Sequence, residues 1–295
     1  LALSDSHQQA ANPDNKEIYM KYMNRIISVL LLMFLYVGSA AAKDSFVIGI
    51  APHTSARVIL EMYQPLRQYL EKELKMQVDI VTAPDFDTFA RRGLANEYDL
   101  AVTTGHQARL FQTDAKYIPI LTYKADFKAV ALVTTGSPAQ KPADLKGKPI
   151  LGLSQASLVT LWGLHWLREN KIDTATVKYV SASDSVAQLL VAGDAAAGFM
   201  SQANFQKLTP ALRGQLRILA ESKPMVGRVY VLNKRNAKIQ KKIDGALWAF
   251  AATPEAKTYF DTNKLEGYRK LKPQELKEMD PFAAEVRKVL KTPAK

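Results

Sequence analysis

Two stretches of the chain, FDTFARRGLANEYDLAVTT (86–104) and SDSVAQLLVAGDAAAGFMS (183–201), superpose at an offset of 97 residues. Asp87 falls on Asp184, Asn96 on Gly193 and Thr104 on Ser201. Each stretch reads as a helix, a turn and an apolar strand. Upstream, Val47-Ile-Gly-Ile-Ala-Pro52 resembles Ile150-Leu-Gly-Leu-Ser-Gln155, and each run opens a helix-period segment. A supersecondary plan used twice in one chain predicts two lobes built alike.

The order of elements gives the class. Strand patterns at 46–50, 77–82 and 98–103 alternate with helical ones at 55–74, 85–94 and 105–111. The second half repeats this with strands at 150–153, 176–181 and 196–201 and helices at 157–169 and 184–192. Such alternation predicts an α/β fold in which each lobe is a mostly parallel sheet flanked by helices. The run RVYVL (228–232) is a strand in need of a sheet, and 236–252 and 273–291 are amphipathic helices. Packed back on the first lobe, they make the chain cross between lobes twice, near 124–128 and 222–228. Lobe 1 is then 43–126 plus 225–295, lobe 2 is 127–224, and a ligand cleft lies between them.

The segment from Met20, MKYMNRIISVLLLMFLYVGSAAAK, has a basic start, a short apolar core and a small-residue end. It reads as a signal peptide over 20–42, which places the protein in a periplasm, soluble. Residues 1–19 show no apolar periodicity and read as an upstream extension outside the fold. The chain has no cysteine, which excludes a disulfide framework, a thiolate metal site and a lipid anchor on cysteine. Its formal charge is +12, with basic residues scattered along helix faces. That spread argues against a nucleic-acid partner and favours small anions.

Ligands of open α/β sheets sit beyond the carboxyl ends of strands. Those ends carry consistent chemistry here. His53 and Thr54 follow the first strand, Thr103, Thr104 and His106 the third. In the second lobe come Ser154, Gln155 and Ser157, then Ser183, Asp184 and Ser185, then Ser201. Any one of these hydroxyls is an ordinary helix cap. As a set they offer hydrogen bonds, free backbone N–H groups and helix dipoles to an oxyanion. His53 and His106 are further candidate donors, and Tyr123 sits at the first crossover. No catalytic or phosphate-loop motif and no metal-ligand spacing occurs, so neither an enzyme nor a cofactor is expected.

Four segments carry a family resemblance: YQPLRQYLEKEL (63–74), QVDIVTA (77–83), NEYDLAVTTG (96–105) and ADLKGKPILGLSQAS (143–157). Over about 46–265 the chain resembles the PhnD-like periplasmic substrate-binding proteins of phosphate, phosphite and phosphonate ABC transporters. The resemblance implies a type II periplasmic binding fold, a small phosphorus-containing anion as ligand and an inner-membrane ABC permease as partner. It also implies a monomer.

The departures fall at ligand positions. Phe86 stands where the family often has a tyrosine, and Gln155-Ala156-Ser157-Leu158 replaces a Ser-Thr-Ser-Gly run. Ser183 precedes Asp184 where the family has histidine, and Gly105-His106 stands where it often has proline. Two other readings stay open: a ligand-sensing module for a membrane signalling protein, and an exported enzyme of the small-acid dehydratase type.

Overall fold

The computed structural model describes residues 45–172 and 176–291. The expected signal peptide at 20–42 and the expected extension at 1–19 lie outside the described residues. The strands form two sheets. The first contains β1 (Phe46–Ile50), β2 (Val78–Val81), β3 (Leu100–Thr104), β4 (Ile118–Tyr123), β10 (Arg228–Leu232) and β11 (Tyr268–Arg269). The second contains β5 (Ala129–Thr134), β6 (Ile150–Gly152), β7 (Val177–Tyr179), β8 (Ala197–Ser201) and β9 (Leu216–Glu221).

Each sheet is mixed rather than mostly parallel. In the first, β1 pairs parallel with β2 and β3, as expected from the helical connections. β10, however, enters antiparallel between β3 and β4, and β11 runs antiparallel to β4. The second sheet matches it: β6 pairs parallel with β7 and β8, and β5 pairs antiparallel with β8 and β9. Of the strands that run against the direction of their sheet, β5 and β10 each bring the chain in from the other sheet, whereas β11 does not. A strand arriving from the other lobe enters at the cleft edge, opposite to a strand that starts from a helix behind the sheet.

The internal repeat has a backbone cause. Asn96 and Gly193 are both left-handed, with φ of 62° and 85°. Each closes the turn after its helix, through Asn96 N–H to Gly93 O and Gly193 N–H to Leu190 O. Glycine and asparagine are the residues that take this conformation at least cost. Thr104 and Ser201 are likewise equivalent: each is the N-cap of the helix that follows.

Helix Ala56–Leu74 buries Ile59, Tyr63, Leu66 and Leu70 against the first sheet, and helix Gln240–Ala251 packs beside it. Helix Asp280–Lys291 lies on helix Gly105–Asp114, fixed by Arg109–Asp280 at 2.6 Å and Arg287–Asp114 at 2.7 Å. It also reaches the second lobe, where Phe282 meets the half-exposed His165 edge-on. Trp162 is buried and stacks on Trp166, as their helical spacing predicts. Among the described residues no helix is long and apolar enough to cross a membrane.

β1 lies close on the Phe89–Tyr98 stack, whose ring centroids are 4.9 Å apart. A Cβ on Gly49 would sit 2.5 Å from the Tyr98 ring. Gly49→Ala therefore forces a buried aromatic pair to shift. It should cost about 1–3 kcal/mol in urea unfolding, as overpacking does elsewhere, with an unchanged m-value.

Candidate functional site

A cavity lies between the two sheets and encloses about 840 Å³ of space, part of it open to solvent. Both lobes line it. The first contributes His53, Thr104, Tyr123 and Arg228; the second contributes Ser157, Ser183, Ser201 and Lys207.

Arg228 is the residue that sequence reasoning missed. β10 is antiparallel, so its first residue, not its last, stands at the cleft edge. Register pairs Arg228 with Thr104, the last residue of β3. The guanidinium lies over the Tyr123 ring, 6.0 Å from its centroid, and its Nη1 reaches the Tyr63 hydroxyl at 3.5 Å. Among the described residues, no carboxylate forms an ion pair with it. Arginine stays charged under all working conditions. A partly buried cation held, among the described residues, by an aromatic face and a hydroxyl is a site for an anion supplied from outside. The signal was available: one arginine at the head of an apolar strand, straight after the second crossover.

Beneath Arg228 the tyrosines form a hydroxyl chain. Tyr123 bonds Tyr230 at 2.7 Å and Tyr259 at 2.5 Å, and Tyr230 bonds Tyr268 at 2.8 Å. Burial pushes the Tyr123, Tyr230 and Tyr259 phenols well above their usual range, and their mutual repulsion adds to this. They remain neutral and supply no counter-charge. Tyr123 thus lies at the crossover and in the cleft wall at once.

The hydroxyls differ in what they have left to give. Ser183 Oγ accepts from Asn204 Nδ2 at 2.8 Å, and Ser201 Oγ accepts from Asn204 N–H at 3.2 Å. The protons of both serines are free to point at a ligand. Ser157 caps helix Leu158–Glu169: its Oγ accepts from Thr160 N–H at 3.4 Å and donates to Thr160 Oγ1 at 2.8 Å. It is a cap that also lines the cavity.

Thr104 lines the cavity, but its proton is committed. Ala156 O, a pure acceptor, takes a hydrogen bond from His106 Nε2 at 2.8 Å. Nδ1 is therefore the bare nitrogen and accepts from Thr104 Oγ1 at 3.1 Å. His106 is fully buried with both nitrogens used, so it is not a free ligand donor. It ties the lobes instead. Asp87 does so beside it, its carboxylate accepting from Ala156 N–H at 3.2 Å.

The other expected residues do not line the cavity. Thr103 is buried and donates to Gln107 Oε1 at 3.0 Å, which holds Gln107 against Phe86 O. Thr54 precedes the true N-cap, Ser55. Ser154 Oγ is buried without a protein partner, away from the cavity lining. Gln155 and Asp184 are exposed, and Ser185 is half-buried in helix Ser183–Val191. The cap of that helix is Ala182, so Asp184 does not serve as its N-cap.

Residues 48–276 match the family model described as ABC transporter, phosphonate, periplasmic substrate-binding protein. The chain belongs to this family. Solved structures share the fold. PhnD1 from Prochlorococcus marinus, in complex with methylphosphonate, is 15% identical with a TM-score of 0.72, over 83% of this chain and 98% of that one. A binding protein component of an ABC phosphonate transporter from Pseudomonas aeruginosa is 15% identical with a TM-score of 0.71, over 84% and 94%. XAC2383 from Xanthomonas citri, bound to ATP, is 19% identical with a TM-score of 0.70, over 83% and 98%. The two-lobed periplasmic binding protein fold with mixed sheets is common to them.

The clasp through His106 carries a pH dependence. Burial lowers its pKa from 6.5 to about 4, while the bond to Ala156 opposes this in part. Between those values the unfolded chain binds a proton that the folded His106 refuses, so stability falls as pH falls. Urea titrations at pH 7, 5.5 and 4 should show a loss that includes about 3 kcal/mol from this residue. His106→Gln should flatten that part of the slope and leave the part due to the other buried histidine, His53.

Proposed function

We propose that the protein captures a phosphonate-type oxyanion in the interlobe cleft and delivers it to an inner-membrane ABC permease. The observation that carries this reading is Arg228, a cation in the cavity wall without a carboxylate partner among the described residues. The free hydroxyl protons of Ser183 and Ser201 stand on the facing lobe, with Lys207 beside them. A phosphoryl oxygen pair suits the planar fork of a guanidinium, and a third oxygen suits the serines. Ser157, at its helix N-terminus, completes the set.

Around this site the rest of the reading follows. The segment 20–42 serves as export signal, and the mature protein works in the periplasm as a soluble monomer. The lobes divide at 43–126 with 225–295 and at 127–224. The anion is bound rather than transformed: His106, the obvious base, has both nitrogens occupied within the protein. The ligand is small, and nucleic acid is not a partner.

The test is calorimetry on protein unfolded and refolded to strip ligand, with methylphosphonate, phosphate, phosphite and sulfate. Methylphosphonate should bind, and Arg228→Gln should weaken it by about hundredfold or more, the loss of charge-assisted hydrogen bonds worth about 3 kcal/mol. The ligand-free melting temperature should not fall, since no ion pair is broken and a dehydrated charge is removed. Equal binding by Arg228→Gln would remove the anion from this wall of the cleft.

A further inference from the structure

His53 has one ring nitrogen that no group among the described residues uses. Its Nδ1 lies 2.8 Å from Ala51 O, and a carbonyl oxygen can only accept, so Nδ1 carries the proton. Nε2 is then a bare lone pair. It is buried and has no hydrogen-bond partner, and the ring lines the cavity that Arg228 also lines. An unsatisfied buried acceptor is unfavourable, so it is expected to meet a donor when the site is filled.

The surroundings decide which side brings the proton. Arg228 and Lys207 face the ring from the two lobes, Lys264 lines the cavity, and Asp126 is the carboxylate among the lining residues. Tyr63 packs edge-on at 6.5 Å. Burial holds His53 well below its ordinary pKa, and Arg228 adds to this. The histidine does not bring a proton of its own to this nitrogen.

We infer that His53 Nε2 accepts a hydrogen bond from the ligand's own hydroxyl, so that the cleft selects a phosphonate or phosphate bearing one proton and rejects sulfonate and sulfate. The inference rests on the phosphonate reading of this site and adds the basis of its selectivity. A phosphonate, like a phosphate monoester, loses its second proton near neutrality, at about pH 6 for the monoester. It enters with the proton the site needs. A sulfonate is a strong acid and has none, so its oxygen lone pair would face the nitrogen lone pair. Whether the proton finally sits on oxygen or nitrogen, the filled site holds one, and one ligand class supplies it.

Methylphosphonate and methanesulfonate separate the cases. At pH 6 both are tetrahedral anions close to a single negative charge, and they differ at the hydroxyl. The wild type should prefer methylphosphonate by about hundredfold, the cost of an unpaired acceptor. His53→Gln can turn its amide N–H₂ toward a sulfonate oxygen, so the preference should fall below about tenfold. Methylphosphonate binding with both ligands within about threefold in the wild type, or an undiminished preference in His53→Gln, would overturn the inference alone. Binding of neither ligand by the wild type would overturn the phosphonate reading and this inference with it.

Should His53→Gln fail to fold, the pH profile of the wild type decides. Affinity for methylphosphonate should fall as the ligand loses its second proton. For difluoromethylphosphonate, whose fluorines lower that ionisation, the break should move down in pH by the same interval. A break that stays in place belongs to a protein group such as Lys207 and overturns the inference.

Discussion

Phe127 and Met225 exchange two backbone hydrogen bonds, 3.0 and 2.8 Å long, where the chain passes between its sheets. The two crossing segments are thereby a short antiparallel ribbon rather than two loose linkers. Much else depends on that pairing. It brings the end of β4 and the start of β10 to the same edge, so Tyr123 and Arg228 become neighbours although 105 residues separate them. It also sets the direction of β10 in its sheet. Reversed, that strand would carry Leu232 to the cleft and Arg228 to the far side.

Placing a lone guanidinium there is unfavourable for folding, because its partial dehydration is not repaid by a carboxylate. The Tyr123 face and the Tyr63 hydroxyl offset part of this. The hydroxyls of Tyr123, Tyr230, Tyr259 and Tyr268 satisfy one another, so the wall stays polar without adding negative charge. A carboxylate in the same place would stabilise the protein and compete with the ligand. The cleft keeps its charge unbalanced, and stability is drawn from the apolar clusters behind each sheet.

Much of this architecture is legible in the sequence, for identifiable reasons. The strands and helices of the repeat are marked by apolar period, and Asn96 and Gly193 mark their turns because few other residues take positive φ readily. β10 is read to the residue. Helix Pro254–Asn263 goes unassigned, although Thr253, Pro254 and Glu255 form a start signal, with Thr253 Oγ1 accepting from Ala256 N–H. Strand direction is not legible, since RVYVL alternates equally well either way, and direction is what places Arg228. The sequence therefore points to the carboxyl ends of parallel strands. Those loops hold Ser157, Ser183, Ser201, Thr104 and His53, which line the cavity, and also Thr103, Ser154 and Gln155, which do not.

The two histidines show why residue type alone leaves roles open. Both follow a first-lobe strand, and burial keeps both neutral. Proton placement then separates them. A carbonyl fixes the N–H on Nε2 of His106, and the Thr104 hydroxyl fills Nδ1, so nothing remains for a ligand. In His53 the carbonyl fixes the N–H on Nδ1, and the remaining nitrogen has no partner. One ring is closed off as a clasp between lobes. The other leaves an unpaired acceptor beside the cations of the cleft. A site that combines a fixed cation, hydroxyl donors and one acceptor matches an anion that carries charge and a proton together, which a fully ionised strong acid does not.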